Sequence, residues 1–346
     1  MKRNKTTLLF IFVGFINFLV FGQGGISPLA HQAFNNGSVA FEKKDYKTAI
    51  KEYAKSVEIS PDFIQARTGL AYAYVSDNQL DEAEGQFLEI AKLDASSADP
   101  YFELGVIAGM KDSSQLAIDY FTKAIEKDAT DGEFFYRRGI QHFKMENYNA
   151  AIGDFDKTIA LKPKDADAFN DRGSAHKMAK NPTAAIADYK KAIELKRDFV
   201  IAMNNLGNLY RTQKDYDNSI AILSQAIAAD GNNYLSYNNR GYAKFNKGDF
   251  EGAIADFKIV NKMSPDYATA YNNIAGAYLS LDDYDKAIEF ATKAIEKDEN
   301  LASAYYNRAI AYEMLRKEDK ACENWNTAAD LGIRVAKEYY TMNGCK

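Results

Sequence analysis

Small and large apolar residues recur along this chain at fixed positions, 34 residues apart. We number each 34-residue period so that its first small residue stands at position 8. In nine successive periods position 8 holds Gly37, Ala71, Gly105, Gly139, Gly173, Gly207, Gly241, Ala275 and Ala309. Position 20 is also small, and position 24 is large in most periods, from Tyr53 in the first to Trp325 in the last. An unbroken period of this length is typical of stacked helix–turn–helix units, so it predicts two helices in each period.

Polar residues and prolines mark the ends of the predicted helices. Asp or Asn at position 16 suits the N-cap of the second helix, because its side chain accepts backbone N–H groups at the helix start. These residues are Asp45, Asn147, Asp215, Asp249 and Asp283, and Asn181 precedes Pro182 in the fifth period. Proline at position 32 ends the second helix in three periods, at Pro61, Pro163 and Pro265. The spacing predicts helices of about 13 to 15 residues.

These positions resemble the tetratricopeptide repeat family over residues 30–335. The residues that carry the resemblance are the small ones at positions 8 and 20, the large ones at positions 4 and 24, and the prolines. Position 11, usually Tyr, departs from the pattern at His142, His176 and Lys244. The resemblance implies an all-α fold, an α-solenoid that forms a right-handed superhelix of nine 34-residue repeats, with a C-terminal cap and tail at residues 336–346.

The first 22 residues differ in composition from the repeats. They contain a basic start and a 14-residue apolar run, namely Lys2, Arg3, Lys5 and Leu8–Phe21. We interpret residues 1–22 as a signal peptide and residues 23–29 as a short N-terminal segment. The alternative is an uncleaved membrane anchor, although the run is shorter than the roughly 20 residues of an ordinary membrane span. Because the segment resembles bacterial signal peptides, we expect an exported protein in the periplasm or outside the cell.

Net charge and reactive residues exclude several classes of function. Removal of residues 1–22 changes the formal net charge from −5 to −8. An acidic chain lacks the clustered positive charge that nucleic-acid binding needs. The histidines, His31, His142 and His176, have no Cys or carboxylate partner at the spacing of metal ligands. The sequence contains neither a phosphate-binding glycine loop nor a nucleophile elbow, so it predicts no enzyme, no cofactor and no metal site.

Two positions change their residue type together. Position 7 is Arg in four repeats, and position 23 is Asp in three of those four. The resulting pairs are Arg138 with Asp154, Arg172 with Asp188, and Arg240 with Asp256, whereas Arg308 faces Asn324. We interpret them as structural ion pairs between the two helices of a repeat, because the Arg fork matches a carboxylate. The alternative is a row of Arg side chains that binds acidic ligands.

Asparagine recurs at two neighbouring positions of the first helix. Position 6 holds Asn205, Asn239, Asn273 and Asn307, and position 5 holds Asn170, Asn204, Asn238 and Asn272. The family resemblance implies that both positions face a concave groove, where carboxamides can pair with the N–H and C=O groups of an extended peptide. This resembles the asparagine ladder of peptide-binding members of the family. The alternative is a tolerated polar residue that was copied by repeat duplication.

Aromatic residues and an arginine extend the candidate groove towards the N-terminus. Tyr136, Arg137 and Phe143 are of the types that dominate binding hot spots. Aromatic residues at helical spacing also form the core between repeats, which is the alternative here. We expect a non-enzymatic scaffold that binds a protein or an extended peptide. The alternatives are a structural subunit of a cell-envelope or secretion complex, and an envelope factor that binds sugar or catalyses a reaction.

The two cysteines lie near the C-terminus, at Cys322 and Cys345. An even count and oxidising export fit a disulfide. A predicted capping helix over Val335–Met342 runs back along the last repeat and brings the two sulfur atoms to a similar height. Two unrelated thiols are the alternative.

Overall fold

The structure is a computed structural model, and it describes residues 25–342 and Cys345. The predicted signal peptide lies outside these residues. The described part of the chain holds nineteen α-helices and no strand, which confirms the all-α prediction. The helices are α1 (Pro28–Glu42), α2 (Tyr46–Ile59), α3 (Ile64–Ser76), α4 (Leu80–Leu93), α5 (Asp99–Met110), α6 (Ser114–Lys127), α7 (Gly132–Lys144), α8 (Tyr148–Leu161), α9 (Ala166–Met178), α10 (Pro182–Leu195), α11 (Val200–Thr212), α12 (Tyr216–Ala229), α13 (Tyr234–Lys247), α14 (Phe250–Met263), α15 (Ala268–Ser280), α16 (Tyr284–Lys297), α17 (Ala302–Met314), α18 (Glu318–Asp330) and α19 (Arg334–Met342).

The helices pack in consecutive pairs, as the 34-residue period predicts. In the C-terminal repeats, for example, α15 packs against α16 and also against α17, the first helix of the next repeat. Such nearest-neighbour packing is the α-solenoid arrangement. The chain divides after Gln141 into two compact units. No helix among the described residues combines the length and the apolar character needed to cross a membrane.

Glycine at position 8 permits close contact between the two helices of a repeat. A Cβ atom on Gly207 would lie 2.5 Å from Leu223, and one on Gly105 would lie 2.6 Å from the Phe121 ring. Both Leu223 and Phe121 occupy position 24 and are buried. At position 20, the exceptional Ser219 is fully buried and donates to the Gly207 carbonyl at 2.7 Å, so its hydroxyl is satisfied.

Each turn between the two helices of a repeat contains a residue with positive φ at position 15. Eight of these residues are not glycine and have φ between 54° and 63°, whereas Gly248 has φ of 92°. The backbone N–H of position 16 donates to the carbonyl of position 11, as Asp45 does to Ala40 at 3.0 Å, and this bond completes a Schellman motif. Because Lys, Asn, Asp, Glu and Arg occupy these positions, the sequence pattern does not reveal this left-handed residue.

Side chains at position 16 cap most of the second helices. Asp45, Asp215, Asp249, Asp283 and Asn181 each accept the backbone N–H three residues ahead, which confirms the predicted caps. The prediction is wrong for Asn147, whose side chain makes no cap bond although α8 begins directly after it. The backbone N–H of Asn147 donates to the His142 carbonyl at 2.9 Å.

The last repeat is covered by α19, which begins at Arg334, one residue before the predicted start. Trp325 of α18 is fully buried and stacks on Tyr339 of α19, with ring centroids 4.9 Å apart. A disulfide joins Cys322 of α18 to Cys345, with Cα atoms 5.5 Å apart. The apolar outer face of the final helix pair is therefore packed against a helix and crosslinked to the tail.

Candidate functional site

Four half-buried asparagines lie one repeat apart on the first helices of the second unit, and we call them the asparagine row. The row consists of Asn205 on α11, Asn239 on α13, Asn273 on α15 and Asn307 on α17. Three members donate through Nδ2 to the Oδ1 of an asparagine at position 5 of the preceding repeat. These bonds join Asn205 to Asn170, Asn239 to Asn204 and Asn307 to Asn272, each at 2.9 Å. The amides thus form a series of hydrogen bonds between repeats.

The position-5 asparagines hold neighbouring repeats together. Asn238 and Asn272 are only 6% and 8% exposed. Asn272 donates to Ser303 Oγ at 3.0 Å, and Asn204 donates to Ser236 Oγ at 2.8 Å, in each case in the next repeat. The prediction that this position faces a groove is therefore wrong for Asn238, which is buried, while Asn272 is almost fully buried and is hydrogen-bonded to the next repeat. For three members of the row the prediction is corrected in one respect: an N–H of each side chain already donates to an asparagine of the preceding repeat and is not available to a peptide.

The hydrogen-bond series is interrupted at Asn273. Its Oδ1 accepts a hydrogen bond from the Tyr242 hydroxyl at 3.1 Å. Its Nδ2 and the Oδ1 of Asn238 are both buried and have no hydrogen-bond partner among the described residues. By position in the repeats, these two atoms correspond to the donor and the acceptor of the three amide bonds made elsewhere. Asn273 is thus bonded through its Oδ1 to Tyr242 and not through its Nδ2 to Asn238.

A cleft of about 200 Å³ lies beside this interruption. Its lining residues are Tyr242, Phe245, Phe257, Asn272, Asn273, Gly276 and Asn307. None of them carries a charge, and α15 contains no charged residue. Burial raises the pKa of Tyr242, an effect that Asn273 and Arg211 partly oppose, so its hydroxyl is a proton donor at neutral pH. The cleft therefore offers aromatic surface, neutral amides and one hydroxyl.

A related pair in the first unit was not predicted as a site. Tyr72 of α3 donates its hydroxyl to Glu103 Oε1 of α5 at 2.8 Å, and Glu103 is only 8% exposed. Burial raises the pKa of Glu103 to about 7, with Asp99 acting in the same direction and Tyr72 and Arg137 opposing it. The sequence feature that could have revealed this pair is the carboxylate of Glu103 at position 6, where four later repeats have Asn.

The other predicted groove residues differ in burial and in their partners. Tyr136 is only 3% exposed, so the prediction of an exposed hot spot is wrong and the ring belongs to the core. Arg137 is partly exposed and binds Glu133, four residues earlier on α7, at 2.7 Å. Phe143 lies in the second unit and packs edge-on against Tyr148, with centroids 5.5 Å apart.

Two of the predicted ion pairs, Arg172–Asp188 and Arg240–Asp256, lie inside their repeats. Arg172 binds Asp188 through Nε and Nη2, at 2.9 and 2.6 Å. Arg240 binds Asp256 in the same bidentate way, at 2.9 and 2.7 Å. Arg308 donates to Asn324 Oδ1 at 2.7 Å. Arg138 and Asp154 belong to different units; within its own unit Arg138 donates to Thr122 at 3.0 Å, and Asp154 is buried.

Each of these arginines also reaches position 25 of the preceding repeat. The acceptors are Thr122 for Arg138, Asp156 for Arg172, Ser224 for Arg240 and Thr292 for Arg308. Repeats that precede a repeat without Arg instead have Ala54, Leu88, Lys190 and Lys258 at that position. The sequence could have revealed this partner at position 25. A Thr, Asp or Ser stands there only when the next repeat has Arg at position 7, just as Asp at position 23 occurs only in repeats with that Arg.

Position 11 supplies a second basic residue to the same carboxylates. Lys244 Nζ lies 2.9 Å from Asp256, and the Nε2 atoms of His142 and His176 lie 3.9 Å from Asp154 and Asp188. The basic residues at position 11 therefore accompany Asp at position 23. The described residues contain no cluster of three metal-ligand side chains. Since the fork atoms of these arginines are bound within the chain, their geometry favours the structural interpretation.

Comparisons with known proteins agree with the observed fold. Models of the tetratricopeptide repeat match residues 40–103, 136–198, 181–234, 238–302 and 290–323. A tetratricopeptide repeat protein from Parabacteroides merdae is 14% identical, with 71% of this chain and 98% of that chain covered and a TM-score of 0.56. The C-terminal part of a repeat protein from Cytophaga hutchinsonii is 18% identical, with 68% and 98% covered and a TM-score of 0.58.

A third solved structure, pilF from Pseudomonas aeruginosa, is 18% identical, with 58% of this chain and 92% of that chain covered and a TM-score of 0.50. At these identities the likeness concerns the fold alone. A search of curated proteins found no match to this chain.

Proposed function

Because the chain belongs to the tetratricopeptide repeat family, we propose that it is a non-enzymatic scaffold that binds an extended peptide or protein segment along the asparagine row. The fold generally serves protein interaction, and the row gives that general role a specific surface. We further propose that the protein acts after export to the periplasm or beyond. The basic and apolar pattern of residues 1–22 and the Cys322–Cys345 disulfide support export.

The observation that carries the binding proposal is the series of amide bonds between repeats. Asn205 and Asn239 are each fixed by one Nδ2 bond, and Asn307 Nδ2 donates to both the Oδ1 and the backbone carbonyl of Asn272, at 2.9 and 3.4 Å, yet all three side chains are only half-buried. An amide has two N–H donors and a carbonyl with two lone pairs, so a second N–H of Asn205 and Asn239 and the carbonyl of all three side chains remain for a peptide main chain. Because these side chains are held in place before binding, little side-chain entropy is lost when a ligand arrives.

Selection of 12-residue peptides displayed on phage tests this proposal with the full chain as bait. We expect enriched peptides whose affinity falls about tenfold or more when Asn205, Asn239, Asn273 and Asn307 are all changed to Ala. This variant also leaves buried acceptors such as Asn170 unpaired, so we expect it to be less stable. Binding is therefore compared at a temperature where circular dichroism shows both proteins to be folded.

A matched control changes polar residues that lie elsewhere in the same unit. Gln225 of α12 and Asn326 of α18 are exposed, and their replacement by Ala should leave peptide affinity unchanged. If the control variant loses as much affinity as the quadruple variant, the row is not the binding surface. If no peptide is enriched, the peptide-binding proposal is wrong, and a structural subunit that binds folded partners becomes the better account.

The export proposal has an independent test. Intact-mass measurement of the protein from its native host should give a chain that begins at or near Gln23, with two hydrogens fewer for the disulfide. A mass that includes Met1 through Gly22 would contradict cleavage.

A further inference from the structure

We propose that the cleft beside Tyr242 is a specificity pocket for one carboxamide side chain, Gln or Asn, of the peptide bound along the asparagine row. This inference rests on the proposed function and assigns a preferred residue to one part of that surface. The Tyr242 hydroxyl donates to the carbonyl oxygen of the ligand side chain. Asn273, released from Tyr242, turns its Nδ2 to Asn238.

The unpaired atoms at the interruption support this exchange of partners. Without ligand, Tyr242 is satisfied by Asn273, but Asn273 Nδ2 and Asn238 Oδ1 are buried and unpaired among the described residues. A buried polar atom without a partner is unfavourable. When a ligand carbonyl takes the Tyr242 hydroxyl, Asn273 can make the bond to Asn238 that three other repeats make at 2.9 Å. The Tyr242 hydroxyl, the ligand carbonyl, Asn273 Nδ2 and Asn238 Oδ1 are then hydrogen-bonded, in exchange for the one bond that Asn273 Oδ1 gives up.

The uncharged lining defines the charge of the ligand group. No residue that lines the cleft is ionised at neutral pH, and the guanidinium of Arg211, which lies 5.8 Å from the Tyr242 ring, is bonded to Asn208. A carboxylate in the cleft would lose hydration without gaining an ion pair from a lining residue, which is unfavourable. A neutral carboxamide offers a carbonyl acceptor of similar shape without that penalty.

The shape of the cleft favours a side chain over a main-chain group. Gly276 leaves space one turn beyond Asn273, and a Cβ atom there would already contact Asn307 Nδ2 at 3.7 Å. Phe245 and Phe257 form the apolar part of the lining, where the methylene groups of a Gln side chain can pack. Asn307 also lines the cleft, so its Oδ1 can accept from the ligand NH₂ group.

Peptides enriched on the full chain provide the test. We expect Gln or Asn at one fixed position, and replacement of that residue by Glu or by Met should weaken binding about tenfold in fluorescence anisotropy. Tyr242→Phe keeps the ring that packs 5.4 Å from Phe257 but removes the hydroxyl, and Gly276→Val fills the cleft. Both variants should lose the preference for carboxamide over Met. Tyr72→Phe, the same change at the same repeat position of the first unit, should keep it.

The outcomes separate this inference from the function on which it rests. Enriched peptides without a carboxamide preference, or with a preference that survives Tyr242→Phe and Gly276→Val, would overturn the pocket and leave the binding surface intact. A preference lost equally in Tyr72→Phe would also overturn it. Failure to enrich any peptide would overturn both the surface and the pocket.

Discussion

Two clusters, one in each unit, use the same positions of consecutive repeats and differ in their chemistry. Each cluster spans three consecutive repeats and takes position 9 of the first repeat, positions 6 and 9 of the second, and position 6 of the third. In that order, the residues are Tyr72, Glu103, Val106 and Arg137 in the first unit, and Tyr242, Asn273, Gly276 and Asn307 in the second. In both clusters the Tyr hydroxyl donates to the next side chain, at 2.8 Å to Glu103 and at 3.1 Å to Asn273. The repeat thus reproduces the geometry of this hydrogen bond whatever its acceptor.

What differs is whether the acceptor can take up a proton. Glu103 is buried, and its pKa is raised to about 7 by that burial, so the first unit changes charge near neutral pH. Asn273 is neutral at every pH, and its neighbour Gly276 opens space that the half-buried Val106 fills in the first unit. One scaffold therefore supplies a titrating cluster and a neutral cleft, and substitutions that exchange their residues can test each assignment.

The largest expected effect is a pH-dependent gain of stability in Glu103→Gln. The pKa of Glu103 rises from 4.5 in the unfolded chain to about 7 in the folded one, so the folded state binds the proton more tightly. Stability contributed by protonated Glu103 is complete below pH 4.5 and is lost as the pH rises through 7. Between these limits the loss is about 2 to 3 kcal/mol. In urea unfolding, the free energy of unfolding of Glu103→Gln relative to that of the wild type should increase by this amount as the pH is raised from 4 to 8.

The control is Asn273→Asp, which places a carboxyl group next to Tyr242 in the second unit. It should introduce a pH dependence that the wild-type second cluster lacks. A constant difference between Glu103→Gln and the wild type across this pH range would show that Glu103 is already ionised at pH 5, and the contrast between the clusters would fail.

Removal of the same hydroxyl from each cluster should have unequal effects. Tyr72→Phe leaves the buried carboxylate of Glu103 without this donor, which should cost about 1 to 3 kcal/mol at pH 8. It should also raise the pKa of Glu103, because the Tyr72 hydrogen bond lowers it. Tyr242→Phe should cost less than about 1 kcal/mol, since Asn273 can turn to Asn238 and recover a neutral hydrogen bond. Unfolding free energies at pH 8 provide the comparison.

Equal losses in the two variants would mean that Asn273 does not change partner. Nuclear magnetic resonance of the Asn273 side-chain amide gives a direct second measurement. Its signals should shift in Tyr242→Phe and stay in place in Tyr72→Phe.

The 34-residue period was sufficient to predict the fold. Two helices can pack closely only if a small residue such as Gly207 on one faces a large residue such as Leu223 on the other, and this requirement is visible in the sequence. The left-handed residue at position 15 was not visible, because Lys44 or Asn78 adopts it as readily as Gly248 does. Its conformation is imposed by the bonds that end one helix and begin the next, and not by residue type.

The site was only partly predictable for a related reason. Periodicity showed that Asn205 and its counterparts share a helix face, but not that their Nδ2 groups bond asparagines of the preceding repeat. The choice between an internal and an external partner depends on distances between repeats, which a single helix pattern does not contain. Glu103 was missed because its importance comes from burial and from Tyr72, 31 residues earlier in the chain.

The smallest expected effect concerns Gly276, the residue that opens the cleft. Glycine inside a helix is about 1 kcal/mol less favourable than alanine. A Cβ atom at this position would lie 3.7 Å from Asn307 Nδ2, which is an ordinary contact, so Gly276→Ala should fit without strain. We expect a gain of about 0.5 to 1 kcal/mol in the free energy of unfolding. The same methyl group narrows the cleft, so affinity for a carboxamide-bearing peptide should fall even as stability rises.

The matched control is Gly85→Ala on α4, where a Cβ atom would contact nothing within 4 Å. This variant should gain similar stability, because the helix preference is the same, and it should leave peptide affinity unchanged. If Gly276→Ala gains stability and keeps full affinity, the glycine has no role in binding. If it loses stability, the space beside Asn307 is smaller than the geometry indicates. Only the combination of higher stability and weaker binding fits a glycine retained for its ligand, because a purely structural position would favour alanine.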